Sequence, residues 1–473
     1  MTEVAPTRTD PDLAAGSEWL GGPAGRHRAA AGFFNPLTVI LLTGTVMYWL
    51  GVIRTVPCIV NGWSSPDRYE HLCYSDIPIL YSLRGLADGL IPYLEWPANG
   101  NPLEYPVLIG MMMGISAMIT GWLSDPTGGD FYIVTMVLAF PFFLAALVAT
   151  ARTNKGRTWD GLILALAPSV FLAGTINWDW PAIGLTALAL WAWSAKRPGW
   201  AGIALGLAIA AKFYPVLLLG PLFVLCWRAG KLRYWLITLG AAVGTWLVVN
   251  VPFAVLNFEG WSYFFRFSAD RGQDFGSVWL ALQTAGLGIP ADVLNPLATG
   301  LFALCCLGIL ALTLLARRRP RMVQVMFLVL AAFLLTNKVY SPQFVLWLLP
   351  LAILARPRWR DIMWWQAAEV IYFVSIWWYL LGLEPENKGL PEPWYAGAIA
   401  VHLIATLALV ILVIRDILKP AYDPVRRPPG YPELDLDDPS GGCLDQAPDV
   451  FTLRRDAPQG QEATKTAEPA QPD

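Results

Sequence analysis

Asp76 stands in Ser75-Asp76-Ile77-Pro78, immediately before apolar residues at helical spacing. A carboxylate there can cap the helix, because Asp is favoured at an N-cap and Pro in a first turn. A capped carboxylate keeps a second oxygen, which can take a proton from a hydroxyl as a general base. Glu104, in Leu103-Glu104-Tyr105-Pro106, is a second acid ahead of an apolar run and reads equally as a solvated loop residue. Asn177 and Asp179 share the short turn from Thr175 to Pro181, where they can hydrogen-bond a ligand or cap the next helix. Lys212 and Lys338 each end an apolar run. Charge at membrane depth is costly and by default marks function, whereas the structural alternative is a stem that snorkels to the headgroups. Arg266 and Arg271 lie in an aromatic-basic stretch, Trp261-Ser262-Tyr263-Phe264-Phe265-Arg266 through Asp270-Arg271. That pattern suits an anion clamp beside a stacking platform, and equally an interfacial belt with Asp270 and Asp274 as partners.

The elements that must position these residues are apolar. The chain of 473 residues is 56% hydrophobic and 14% charged, against about 25% charge in a soluble domain. Twenty-three Trp and 38 Pro suit interfacial belts and interrupted membrane helices. A net charge of −2 excludes bulk attraction to nucleic acid. Apolar runs of spanning length recur from residue 36 to residue 415, and the reading is all-α: a polytopic transmembrane helical bundle with about 12 crossings. They are expected near 36–54, 131–151, 159–176, 182–195, 199–211, 214–228, 234–256, 295–316, 322–338, 343–355, 362–382 and 395–415. Basic clusters at Arg152-Lys155-Arg157, Lys196-Arg197, Arg228-Lys231-Arg233, Arg317 to Arg321, Arg356 to Arg360 and Arg415-Lys419 alternate with more acidic loops. The positive-inside rule then places both termini in the cytoplasm and Asp76, Asn177, Lys212 and Lys338 outside, in a multi-pass protein of the plasma membrane.

The first run, Pro36 to Val52, reads as a retained signal anchor behind a cytoplasmic segment 1–35 expected to be disordered. Residues 36–415 form the membrane domain, and 55–104 is its first outer loop. Within that loop Ile77 to Leu90 carries an apolar stripe and predicts an amphipathic helix lying on the membrane surface. Segment 105–123 is read as re-entrant or laid against the bundle, because a full crossing would invert every later basic loop. Segment 277–289 is read as a short outer helix. The tail 416–473 is rich in Pro, Asp, Gln and Gly, and predicts cytoplasmic disorder. Its Asp435-Leu436-Asp437-Asp438 reads as part of that acidic tail. Cys58 and Cys73 share the outer loop and can form a disulfide in an oxidising compartment. No Cys or His pattern suggests a metal.

Tyr74-Ser75-Asp76 with Tyr81, Glu104-Tyr105-Pro106, Asn177-Trp178-Asp179, Ala211-Lys212-Phe213-Tyr214-Pro215 and Asn337-Lys338-Val339-Tyr340-Ser341-Pro342-Gln343 come in an order that resembles the integral-membrane GT-C glycosyltransferases. Family 87, the actinobacterial envelope mannosyltransferases, is the nearest in pattern. The resemblance covers roughly 36–415. It implies a polyprenyl-phosphate sugar donor, often of mannose, an envelope glycan or glycolipid acceptor, the bilayer as a third partner, and neither metal nor cofactor. Asp76 would be the general base. Lys212, Lys338, Arg266 and Arg271 would face the leaving phosphate, with Glu104, Asn177, Asp179 and Tyr81 around the sugar. Members often carry a histidine in a late outer loop; here that stretch reads Ser341-Pro342-Gln343-Phe344, so Lys338, Tyr340 or Gln343 stands in. The same residues leave open a lipid or sugar transporter or flippase, and a non-catalytic subunit of an envelope-synthesis complex.

Overall fold

The computed structural model describes residues 3–4, 10–11, 13–15, 35–384 and 388–453. Most of the segment 1–35 and all of 454–473 therefore lie outside the described residues. The rest is helical, with no strand among the described residues. Helix α1 (Pro36–Arg54) is capped by Asn35, which accepts from the Thr38 amide at 3.1 Å. Helix α2 (Asp76–Leu83) precedes α3 (Val107–Thr120), and α4 (Gly128–Thr153) starts from a Thr127–Asp130 capping box. Two short helices, Gly161–Ala165 and Pro168–Ala173, occupy the third expected run; Pro168 begins the second, which splits it. Then come α5 (Trp180–Ser194), α6 (Pro198–Ala211), α7 (Leu219–Arg228) and α8 (Leu232–Leu256). The outer helix α9 (Phe258–Asp270) and the short α10 (Val278–Thr284) lead to α11 (Ala291–Leu315). The last four are α12 (Met322–Thr336), α13 (Val345–Ala355), α14 (Trp359–Gly382) and α15 (Glu392–Leu418).

A helix or helical pair thus stands at each expected run. Five stretches are long and apolar enough to cross a membrane unaided: Pro36–Val60, Gly128–Thr153, Leu232–Leu256, Asp292–Leu315 and Glu392–Leu418. Some of the shorter ones are wrapped by protein. All eleven residues of α13 are buried, as are twelve of the fifteen in α5. Protein around a short helix removes the need for one segment to match the bilayer thickness. Helix α5 packs along α4 and α6, and α6 along α8. The α6–α8 approach is backbone-close: a Cβ at Gly202 or Gly206 would lie 2.3 Å from Thr238 O or 2.4 Å from Ala242 O.

Two differences from the sequence reading have identifiable causes. The amphipathic helix stops at Leu83, where Gly85 takes φ +70° and Arg84 turns to pair with Glu104. Ile77 and Leu80 of its stripe are buried against protein, with α4 the main neighbour, while Leu83 is 41% exposed. Helix α3, in the segment read as re-entrant or laid against the bundle, has 14 residues, or about 21 Å. The tail is ordered from Pro420 to Leu453, because its acids meet the basic loops: Asp423 pairs with Arg321 at 2.8 Å, both fully buried, and Asp449 with Arg228 and Arg319 at 2.7 Å each.

Those ion pairs collect the basic loops at one end of the bundle. Arg157 donates to Pro424 O, Trp193 to Gly441 O, and Arg321 to Leu354 O. Helices α5, α6 and α12 run from that end to the other, where Asp179, Lys212 and Lys338 sit.

Candidate active site

A cavity of about 630 Å³ opens at this second end. Its polar wall begins with Asp76. Ser75, and not Asp76, caps α2: its Oγ accepts from the Ile77 amide and donates to Thr175 O at 2.8 Å. The Asp76 side chain is thereby released from capping. It accepts from Tyr74 Oη at 2.9 Å and from Asn177 Nδ2 at 2.7 Å. Lost hydration raises its carboxyl above the usual range, partly offset by those two hydrogen bonds and by the Lys212 charge.

Asn177 connects the wall. Its Nδ2 also donates to Tyr105 Oη at 2.6 Å, and its Oδ1 accepts from Lys212 Nζ at 3.1 Å. Lys212 pairs with Asp179 Oδ1 at 3.1 Å, which in turn accepts from Trp347 Nε1 at 2.7 Å. Neither Asn177 nor Asp179 caps α5 through its side chain. The position of Lys212 follows from its sequence: Pro215 is the second residue of a 3-10 turn (Tyr214–Leu218), so α6 ends at Ala211 and the lysine leaves in extended conformation toward the cavity.

The facing wall comes from two paired loops. Asp274 N donates to Lys338 O at 2.9 Å and Tyr340 N to Phe275 O at 3.0 Å. They bring Arg271, Phe275, Lys338 and Gln343 to the cavity. Burial, with the neighbouring Arg271 guanidinium, holds Lys338 below the usual lysine range. Aromatic surface completes the lining: Phe264, Phe265 and Phe267 of α9, Phe344 and Trp347, and on another side Tyr69, Tyr74 and Trp377. The arrangement offers a proton acceptor, cations for an anion, and apolar surface. Among the described residues no group of three or more His, Cys, Asp or Glu could hold a metal ion.

The family model of glycosyltransferase family 87 matches residues 105–337, which contain Tyr105, Asn177, Asp179, Lys212 and Arg271. Over that stretch, just under half of the chain, the protein is similar to glycosyltransferase family 87. No curated protein matches the chain. Among solved structures it is similar to ArnT from Cupriavidus metallidurans bound to undecaprenyl phosphate, at 15% identity and a TM-score of 0.45, over 82% of this chain and 78% of that one.

Not every residue singled out in the sequence reaches the cavity. Glu104 lines it but is held by Arg84 through two 2.7 Å bonds, so it is a paired and not a solvated acid. Arg266 is exposed and donates to Glu259 O, because α9 turns Phe264 and Phe267 toward the cavity and the arginine outward. Tyr81 is buried, stacked on Phe131 at 4.5 Å. Tyr340 is fully buried behind the loop, edge-on to His402. Asp179 sits behind Lys212. Conversely, Trp347 and Trp377, which stand in apolar runs with little local to mark them, line the site, as does Tyr105. Only the nearness of Trp347 to Gln343 could have pointed to it. Cys58 and Cys73 form a disulfide.

Proposed function

We propose that this protein is a membrane glycosyltransferase that moves a hexose, mannose on the family pattern, or a pentose from a polyprenyl-phosphate carrier to a hydroxyl of an envelope glycan or glycolipid at the outer face. The observation that carries the reading is the Asp76 carboxylate: free of capping, raised by burial, and facing one cavity with Lys338 and Arg271. Asp76 removes the proton from the acceptor hydroxyl as its oxygen bonds to the sugar C1, and the bond from C1 to the phosphate oxygen breaks. The lipid phosphate leaves as an anion facing Lys338 and Arg271, and cations in a partly desolvated site stabilise developing charge strongly. The phenylalanine surface of α9 suits the carrier's apolar chain. Asn177 fixes the orientation of Asp76. On this reading the cavity end faces outward and both termini are cytoplasmic.

Asp76→Asn decides the matter. In proteoliposomes supplied with a polyprenyl-phosphate sugar and an envelope glycolipid extract, release of polyprenyl phosphate should fall at least about 10²-fold while donor binding persists. Turnover within a few-fold of wild type overturns the assignment of the base. Donor binding lost equally from wild type and variant overturns the donor class.

A further inference from the structure

A buried histidine, His402 of α15, touches nothing in the cavity, yet it grips the loop that supplies the cations. Its Nε2 lies 3.1 Å from Gly276 O, and its Nδ1 3.5 Å from Glu369 Oε1 of α14. Its ring stacks on Tyr372 at 4.2 Å. A carbonyl only accepts, so Nε2 carries a hydrogen. Glu369 Oε1 and His402 Nδ1 are both buried with no hydrogen-bond partner within normal range, so the two facing atoms have only each other as polar neighbours at 3.5 Å. The other side of the same residue is held too: Gly276 N donates to Tyr395 Oη at 3.2 Å. Gly276 takes φ +73°, and a Cβ there would lie 2.1 Å from Tyr340 O and 2.3 Å from Tyr372 Oη. Tyr372 Oη in turn donates to Tyr340 O at 3.2 Å.

We infer that His402, with Glu369 and Tyr395, is a positioning group that fixes the paired loops 271–277 and 338–343, and so sets where Arg271 and Lys338 meet an anionic ligand. The mechanical part rests on the loop contacts alone; the anion rests on the glycosyl-transfer reading. His402→Ala removes the grip. His402→Gln restores a donor to Gly276 O. Tyr395→Phe removes only the hydroxyl at Gly276 N and guards against a variant that fails to fold. Hydrogen exchange of the purified full chain in detergent should quicken at least about tenfold in 271–277 and 338–343 for His402→Ala, with α14 and α15 unchanged, and return toward wild type for His402→Gln. Undecaprenyl phosphate in the same detergent should bind at least about tenfold more weakly to His402→Ala. Unchanged loop exchange in both His402→Ala and Tyr395→Phe, or quickening spread evenly through α14 and α15, overturns the positioning role. Altered loop exchange with no binding of undecaprenyl phosphate to wild type leaves the positioning role standing and overturns the anion assignment.

Discussion

Asn177 donates to Asp76 and Tyr105 and accepts from Lys212. Removing its amide should therefore misplace the base more than it weakens ligand binding. Asn177→Ala is expected to lower kcat about 10-fold or more with KM little changed, read from initial rates. Asn177→Asp puts a second carboxylate against Asp76, and like charge raises a carboxyl pKa. A general base works deprotonated, and burial already raises Asp76, so kcat should climb with pH through that pKa and then level. The rising limb should lie at higher pH in Asn177→Asp and vanish in Asp76→Asn; a limb unmoved by either change assigns it to another group. Lys212→Ala differs in kind, since Asp179 is 2% exposed and would keep a buried charge without its cation. It should lose stability as well as activity, about 3–5 kcal/mol by thermal unfolding. Spacing made Asp76 a candidate but also made it the cap, because Ser and Asp are nearly equal at that position. Which one takes it depends on Thr175 and Ile176 carbonyls a hundred residues away, beyond any local pattern. Trp347 and Trp377 were hidden for the same reason: an aromatic residue in an apolar run reads alike whether it faces lipid, core or cavity.

Helix positions were legible because most apolar runs end at Pro, Gly, Asn or charge. The breaks mattered as much: Lys212 reaches the cavity because α6 stops before Tyr214-Pro215. Packing partners were less legible. The stripe of α2 fits a membrane surface as well as a protein one, since periodicity says what is buried and not against what. At this scale the Cys58–Cys73 bridge closes the segment that carries Tyr69 and delivers Tyr74 and Asp76 to the site. Trp63 Nε1 donates to Cys73 O at 3.0 Å, tying the loop inward. With the cysteines 15 positions apart, chain entropy alone gives the bridge about 3 kcal/mol. Cys58→Ser with Cys73→Ser should lower the unfolding temperature and raise exchange within 61–75, and reductant should do the same to wild type alone. A double variant indistinguishable from wild type in both measures would show that the loop is held by packing without the bridge.

Across the whole molecule, charge sorts the two ends. One carries the basic loops and the acidic segment 420–453; the other carries the cavity. Alternation of Lys and Arg along the sequence made that separation readable, but composition made the tail look unstructured. Composition counts apolar residues and overlooks that Asp423 and Asp449 have buried arginines to meet. The arginines need them as much: Arg228, Arg321 and Arg426 are each 1% exposed or less. Two substitutions separate a structural segment from a loosely attached one. Asp423→Ala leaves Arg321 fully buried without its carboxylate, and breaking such a pair costs about 3–5 kcal/mol. Asp435→Ala removes a half-exposed pair with Arg318 and Arg427, where the cost is about 0–1 kcal/mol. Thermal unfolding in detergent should drop clearly for the first and hardly for the second, and ending the chain after Lys419 should do at least as much damage as Asp423→Ala. Equal, negligible effects of Asp423→Ala and of the truncation would mean that the segment does not hold the loops together. Because the ends of α6 and α12 lie under these loops while their other ends carry Lys212 and Lys338, a loosened tail should also reach the cavity, lowering turnover without any contact to the ligand.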